Sequence, residues 1–171
     1  MTLTLSILRH AKSGKDDPRL ADFDRPLNER GYGEAVEMAN LIIARAWQPA
    51  RILCSSSRRT RETLAPLLPL LKSNATIELT RRIYDASAET LLDLVREQDG
   101  APRSLMLIGH NPGLEELARV LPGSGDGAAL SRLRVMFPPA SLAVIGFDIA
   151  DWSDIAPGRG RLEAFEVPTG S

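Results

Sequence analysis

The pattern of apolar and polar positions along the chain predicts strands that alternate with helices. Residues 2–8 carry apolar side chains at every second position, which is typical of a buried strand. The apolar segment 104–108 (SLMLI) is typical of a strand whose two faces are both covered. After Asn28, which is a favourable N-cap, apolar residues recur at helical spacing and predict a helix that ends before Pro49.

The same reasoning predicts four further strands and three further helices. The strands are 51–54, 75–79, 141–149 and 162–167, and the helices are about 58–71, 87–98 and 112–121. Pro66 and Pro69 are expected to distort or shorten the second half of the first of these helices, and Ser87 is the expected cap of the second. Residues 11–26 and 122–140 are predicted to be irregular, and the last two strands are expected to pair through a turn near Gly158. We therefore expect one α/β domain over residues 1–171, a three-layer α/β/α sandwich around a mostly parallel sheet of about six strands.

Composition and charge narrow the class of protein. The chain has 171 residues, one cysteine (Cys54) and a net charge of −1. A single cysteine forms no disulfide within the chain, which suits a reducing compartment. A near-neutral charge argues against nucleic acid as a partner. We find no signal peptide pattern, and no stretch approaches the roughly 20 apolar residues of a membrane span, so we expect a soluble, cytoplasmic protein.

Both histidines of the chain follow directly after apolar strands. His10 comes after the first strand, next to Arg9, and His110 comes after segment 104–108. The strand 51–54 is followed by a cluster of hydroxyl and guanidinium groups: Ser55, Ser56, Ser57, Arg58, Arg59 and Arg61. The carboxyl ends of parallel strands lie at one edge of a sheet, where ligands bind. Each group alone could be purely structural, but together they predict one shared pocket.

The chemistry of these groups indicates that the pocket binds an anion. Guanidinium groups bind phosphate oxygens in a bidentate manner, and several cations suit a phosphoryl group better than a carboxylate. The alternative is a metal site with His10, His110 and Asp85 as ligands. Neighbouring arginines would repel a divalent cation, which disfavours that alternative. Segment 12–17 (KSGKDD) lacks the spacing of a nucleotide-binding P-loop.

Three motifs together resemble those of the histidine phosphatase superfamily, whose fold is called phosphoglycerate mutase-like. They are Arg9-His10, the spacing from Ser55 through Arg59 to Thr63, and Gly109-His110. The segment 22–31 (DFDRPLNERG) and the strings RRTRET, IYDAS and IGHNPGLEELA are similar to those of the SixA-type phosphohistidine phosphatases.

This sequence departs from the family pattern at two positions. Ala11 replaces the glycine that usually follows the first histidine, and Asn111 replaces the acid of the phytase-like branch.

The resemblance implies a mechanism for the predicted pocket. His10 would be the nucleophile and would carry the phosphoryl group as a covalent phosphohistidine. Arg9 and Arg59 would bind the non-transferred oxygens, and His110 would donate a hydrogen bond to one of them. No metal or cofactor is implied. Arg58 and Arg61 are then expected to be surface residues.

Three further residues are candidates for the site. Arg25 is a candidate phosphate contact, or else a salt-bridge partner of Asp22 or Asp24. Ser13 is a candidate hydrogen-bond donor to the phosphate, or else a turn residue. Asp85 is the candidate general acid, although it also suits the start of a helix.

The predicted function is therefore that of a phosphatase, with phosphohistidine in a protein partner as the leading substrate. The first alternative is a phosphatase of small phosphomonoester metabolites. The second is a phosphoprotein-binding module without catalysis, which the retained nucleophile disfavours. Lys12 and Lys15 could contact an acidic substrate surface or could simply be solvated.

Overall fold

The computed structural model of the chain describes residues 2–72, 74–99 and 102–171. The strands are β1 (Thr2–Arg9), β2 (Arg51–Ser55), β3 (Thr76–Thr80), β4 (Ser104–Gly109), β5 (Pro122–Gly125), β6 (Leu142–Asp148) and β7 (Gly160–Glu166). The α-helices are α1 (Glu29–Ala44), α2 (Arg58–Leu64), α3 (Ala88–Arg96), α4 (Gly113–Val120) and α5 (Gly127–Val135). Short 3₁₀ helices cover Asp22–Asp24, Leu68–Leu70, Arg81–Ile83 and Trp152–Asp154.

The strands form one mixed sheet in the order β3-β2-β4-β1-β6-β7-β5. Strands β3, β2, β4 and β1 are parallel to one another, and β6 is antiparallel to both β1 and β7. The prediction of a mostly parallel sheet is confirmed, with seven strands instead of about six.

The core lies in two layers, one on each face of the sheet. Leu3, Leu5 and Ile7 of β1 pack with buried residues of α3, α4 and α5. Leu8 faces the opposite layer, where it packs with α1 and α2. In β4 alternate residues likewise belong to alternate layers. The three-layer architecture is therefore confirmed, and double coverage explains why the SLMLI segment is apolar throughout.

The predicted caps of two helices are confirmed. Asn28 Oδ1 accepts a hydrogen bond from the backbone N–H of Gly31 at 2.9 Å, at the start of α1. Ser87 Oγ accepts one from the backbone N–H of Thr90 at 3.1 Å, at the start of α3. Because these caps satisfy helix N–H groups that would otherwise have no partner, both helices begin where the sequence predicted.

One helix is shorter than its predicted range, as its prolines suggested, and one prediction about secondary structure was wrong. Helix α2 ends at Leu64, because Pro66 removes a backbone donor and interrupts the helix. Residues 122–140 were predicted to be irregular but contain β5 and α5. Strand β5 (PGSG) carries no apolar alternation and forms as an edge strand against β7.

In the described parts of the chain, no helix is long and apolar enough to cross a membrane.

Candidate active site

The ring of His10 is held in one orientation at the end of β1. Its Nδ1 lies 2.7 Å from the carbonyl oxygen of Ala11, and because a carbonyl only accepts, Nδ1 carries the hydrogen. The backbone N–H of Ala11 in turn donates to Thr63 Oγ1 at 2.9 Å, which anchors this turn to α2. The His10 ring therefore presents an unprotonated Nε2 as a potential nucleophile.

His110 lies beside His10, with ring centroids 5.3 Å apart. Strands β1 and β4 pair in parallel, and the backbone N–H of His10 donates to the carbonyl of Gly109 at 3.0 Å. The His110 Nε2 is 2.8 Å from Ser55 Oγ, whereas Nδ1 is buried and has no hydrogen-bond partner. The register of the sheet thus brings the two histidines together, as the sequence predicted.

Two arginines complete the cationic part of the site. Arg9 donates from Nη1 to the carbonyl of Phe137 at 2.9 Å. Arg59 is 4% exposed and donates to Asp22 through both terminal nitrogens. The Nε atoms of both arginines are buried and have no hydrogen-bond partner. Each guanidinium is thus fixed by protein acceptors while it keeps an unused donor.

Burial and positive neighbours keep both histidines uncharged. The pKa of His10 is lowered to about 3, and burial is the largest cause. The hydrogen bond to Ala11 raises this pKa, whereas the neighbouring His110, Arg59 and Arg9 lower it further. The pKa of His110 is lowered to about 4, again mainly by burial and then by Arg59. Burial also lowers the pKa of Arg9, although a guanidinium stays charged at any ordinary pH. At neutral pH the site therefore contains neutral imidazoles beside charged guanidiniums.

Asp22 and Tyr84 form a second set of contacts that the sequence analysis did not assign to the site. Tyr84 Oη donates to Asp22 Oδ2, and Arg25 Nε forms an ion pair with Asp22 Oδ1 at 3.1 Å. The Tyr84 hydroxyl is the main cause that lowers the pKa of Asp22 to about 2, with Arg59 and Arg25 contributing. The ring of Tyr84 packs edge-on against His110 at 5.3 Å. The strings DFDR and IYDAS contain these residues, but no local pattern indicates that they touch.

The two histidines and the two arginines of the site surround one pocket of about 310 Å³. It is lined by Arg9, His10, Lys12, Ser13, Lys15, Arg25, Arg59, Asp85, His110, Asn111 and Pro139. All seven residues predicted for the site therefore line the same pocket. Their individual catalytic and binding roles remain predictions.

Arg25, Ser13 and Asp85 also have the kind of structural role that the sequence offered as the alternative to a role in the site. Arg25 forms the ion pair with Asp22, and Ser13 forms an isolated β-bridge with Leu27. Asp85 is exposed and has a positive φ of 53°, a conformation that Asp and Asn adopt more readily than most residues. Each of the three therefore combines a structural contact or conformation with a place on the pocket wall.

Arg58 and Arg61 lie on the protein surface, as the sequence predicted. Arg58 is exposed and pairs with Glu62 at 2.9 Å, and Arg61 is exposed and donates to the carbonyl of Ser56 at 3.0 Å. Cys54 is buried in β2, and burial raises the pKa of its thiol to about 12.

Within the described parts of the chain, no group of three or more His, Cys, Asp or Glu side chains is placed to hold a metal ion. Asp85 and the two histidines line the same pocket, but Arg9 and Arg59 lie among them.

Comparison with known proteins gives a consistent assignment. The sequence profile of the histidine phosphatase superfamily (branch 1) matches residues 5–105, more than half of the chain. An uncharacterized protein of Mycobacterium tuberculosis is 34% identical over 163 residues, which span 94% of this chain and 99% of the relative. A crystal structure described as a candidate phosphohistidine phosphatase, SixA, from Agrobacterium tumefaciens is 33% identical, with a TM-score of 0.80 and coverage of 97% and 98% of the two chains.

A mycobacterial glucosyl-3-phosphoglycerate phosphatase shares the fold at 20% identity, with a TM-score of 0.63 and coverage of 96% and 99% of the two chains. The predicted fold and family are both confirmed. The sequence profile and the arrangement of the two histidines agree: the chain belongs to branch 1 of the histidine phosphatase superfamily and is a phosphatase.

Proposed function

We propose that this phosphatase removes the phosphoryl group from a phosphohistidine of a partner protein, through a covalent phosphohistidine on its own His10. The state of the His10 ring carries the proposal. Its Nδ1–H is used by the carbonyl of Ala11, so the lone pair on Nε2 is free. A pKa of about 3 keeps that lone pair available at neutral pH. A neutral, oriented imidazole beside arginines suits in-line attack on phosphorus.

The reaction proceeds in two displacements. In the first, His10 Nε2 forms a bond to phosphorus, the bond to the leaving nitrogen or oxygen breaks, and the leaving group departs with that electron pair. In the second, a water oxygen attacks phosphorus, the bond to Nε2 breaks, and the electron pair returns to the imidazole. The products are inorganic phosphate and a protonated leaving group, and His10 is neutral again.

Arg9, Arg59 and His110 stabilise the charge on the phosphoryl oxygens during both displacements. The two guanidiniums keep unused, buried Nε–H donors, and His110 keeps an unpartnered, buried Nδ1. Such preorganised donors give most of the rate acceleration that a protein can offer to phosphoryl transfer. Arg25 and Ser13, on the same pocket wall, contact the outer oxygens of the substrate.

Asp85 acts as the general acid in the first displacement and as the base in the second. It lines the pocket and is exposed, so its carboxyl group can exchange protons with solvent. Protonation by a nearby carboxyl group matters most for a poor leaving group such as an alkoxide. An imidazole leaving group is less demanding, so an exposed acid is sufficient for phosphohistidine.

The rim of the pocket supports a protein-borne substrate. Lys12, Lys15 and Asp85 line the pocket and are exposed, so the site opens onto the protein surface. A side chain that projects from a partner protein can then bring its phosphoryl group to His10. The Agrobacterium tumefaciens structure described as a candidate phosphohistidine phosphatase is 33% identical over nearly the whole chain and favours the same substrate class.

The second candidate function is the hydrolysis of a small phosphomonoester by the same chemistry. The mycobacterial glucosyl-3-phosphoglycerate phosphatase, which shares the fold, favours it. A pocket of about 310 Å³ also has room for a small sugar phosphate.

A comparison of kcat/KM values separates the two candidates. The substrates are a phosphotransfer domain that carries phosphohistidine, a set of small sugar phosphates, and p-nitrophenyl phosphate as a generic reference. We expect the phosphohistidine domain to give the highest kcat/KM. Sugar phosphates that exceed it by orders of magnitude would overturn the proposed substrate in favour of the second candidate.

The covalent intermediate is tested separately by rapid quenching after incubation with a ³²P-labelled substrate. We expect an acid-labile, alkali-stable label on the wild-type protein and none on His10→Ala. Arg58→Ala is the matched control, because Arg58 is exposed and pairs with Glu62 outside the pocket. Full turnover by His10→Ala would exclude His10 as the nucleophile.

A further inference from the structure

Two segments far apart in the chain meet beside Arg59 and His110, which line the pocket. Asp22 lies in the 3₁₀ helix Asp22–Asp24, and Tyr84 follows the 3₁₀ helix Arg81–Ile83. The Tyr84 hydroxyl donates to Asp22 Oδ2, and Phe23 packs edge-on against the Tyr84 ring with centroids 4.9 Å apart. The guanidinium of Arg81 covers the Phe23 ring at 4.2 Å. This polar and aromatic contact fixes Asp22 in place.

Asp22 in turn binds Arg59 through two separate oxygen atoms. Arg59 Nη1 donates to the backbone carbonyl of Asp22 at 2.6 Å, and Nη2 donates to Oδ2 at 3.0 Å. A guanidinium is planar and rigid, so two bonds from its terminal nitrogens determine its orientation. Arg59 Nε is then left buried and without a partner.

We propose that Asp22, held by Tyr84, is a positioning residue that orients Arg59 so that its unused N–H donors face the phosphoryl group. This inference rests on the proposed function of the pocket, in which Arg59 binds an oxyanion. Asp22 acts through Arg59 and does not itself touch the phosphoryl group. Tyr84 contributes in two ways, because its hydroxyl binds Asp22 while its ring packs against His110.

A carboxylate close to an anion-binding site would repel the anion unless neighbouring cations offset its charge. Asp22 forms an ion pair with Arg25 as well as with Arg59, so two cations offset its charge. Its pKa of about 2 means that it is ionised throughout the working pH range. The alternative is that Asp22 competes with the substrate for Arg59. That alternative predicts tighter anion binding when its charge is removed, whereas positioning predicts weaker binding.

The test combines a double-mutant cycle with a binding measurement that requires no turnover. We would measure the Kd for tungstate by calorimetry, kcat and KM for p-nitrophenyl phosphate, and the midpoint of urea unfolding. The proteins are the wild type, Asp22→Asn, Arg59→Ala and the double variant. We expect Asp22→Asn to raise the Kd and lower kcat/KM about tenfold, the size expected when a charge-assisted hydrogen bond is lost. In the Arg59→Ala background we expect Asp22→Asn to change the Kd and kcat/KM by less than about twofold. The effects of two substitutions are not additive when one residue acts through the other.

Asp24→Asn is the matched control. Asp24 lies in the same 3₁₀ helix and loses the same charge, but it is exposed and forms no hydrogen bond with Arg59. We expect its Kd and kcat/KM to match those of the wild type. Tyr84→Phe removes only the hydroxyl and should shift the Kd in the same direction as Asp22→Asn, by about two- to fivefold.

Three outcomes would overturn the proposal. Equal effects of Asp22→Asn with and without Arg59 would mean that Asp22 acts independently of it. Tighter tungstate binding by Asp22→Asn would identify Asp22 as a competitor of the substrate. A lower unfolding midpoint with an unchanged Kd would leave it a purely structural role. Tungstate binding and p-nitrophenyl phosphate hydrolysis do not depend on phosphohistidine as the substrate, so this test and the substrate panel can fail separately.

Discussion

The imidazole rings of His10 and His110 lie 5.3 Å apart, centre to centre, at the ends of two adjacent parallel strands. Both residues are less than 10% exposed, and each has an arginine as a positive neighbour. A charged imidazole would lose hydration there and would be repelled by the guanidiniums. The fold therefore holds both rings neutral, which suits a nucleophile and makes stability depend on pH.

We predict that the protein loses stability between about pH 6.5 and pH 4. The pKa values are about 3 for His10 and about 4 for His110 in the folded protein, whereas a histidine in the unfolded chain has a pKa near 6.5. Between these values the unfolded chain binds more protons than the folded protein. The free energy of unfolding should therefore decrease as the pH is lowered, by up to about 1.4 kcal/mol per pH unit for each histidine.

Urea unfolding at pH 7, 6 and 5 measures this effect. His110→Asn removes one of the two buried imidazoles and should show roughly half the pH slope of the wild type over that range. Equal slopes for the two proteins would mean that His110 titrates normally in the folded state.

Two glycines of helix α1 provide a matched pair for the contact between this helix and the loop after His10. A Cβ atom at Gly31 would overlap the backbone carbonyl of Lys12, whereas a Cβ at Gly33 would meet nothing within 4 Å. We expect Gly31→Ala to lower the free energy of unfolding by about 2–3 kcal/mol. Gly33→Ala should raise it by up to about 1 kcal/mol, because alanine favours a helix over glycine. Chemical denaturation of both variants checks the sign of each change, and equal effects would contradict the close approach at Gly31.

Ser55 should be required for the orientation of His110. Ser55 is fully buried, and its Oγ lies 2.8 Å from His110 Nε2. If Nδ1–H is to donate to a phosphoryl oxygen, Nε2 must accept, and Ser55 is the hydroxyl donor that stabilises this tautomer. We expect Ser55→Ala to lower kcat/KM for p-nitrophenyl phosphate about tenfold, as expected for a buried hydrogen bond to a reacting group. Ser56→Ala is the control, and equal activities of the two variants would exclude this role.

The ends of the central strands, and hence the positions of the two histidines, could be predicted from the sequence because buried parallel strands are apolar along their whole length. Segments 2–8 and 104–108 made the positions of His10 and His110 clear before their contact was known. Strand β5 was missed because its residues, PGSG, form a strand only through pairing with β7.

The contact between Asp22 and Tyr84 was missed for a different reason. Asp22 lies in a short 3₁₀ helix and Tyr84 directly follows another, neither helix has apolar periodicity, and the tertiary fold brings the two segments together. Sequence patterns report local periodicity and burial, but they do not report which polar loops meet.

The proposed acid role of Asp85 predicts an effect that depends on the leaving group. Asparagine tolerates the left-handed backbone at this position, with its φ of 53°, so Asp85→Asn should remove the carboxyl group without backbone strain. We expect kcat for an alkyl phosphate such as glycerol phosphate to fall about 100-fold, within the usual contribution of general acid catalysis. Hydrolysis of p-nitrophenyl phosphate should change by less than about threefold, because nitrophenolate leaves without a proton. Wild type and variant would be compared on both substrates at pH 6 and 7. A uniform loss on the two esters would assign Asp85 to phosphoryl binding, and no loss on either would mean that another group, or solvent, protonates the leaving group.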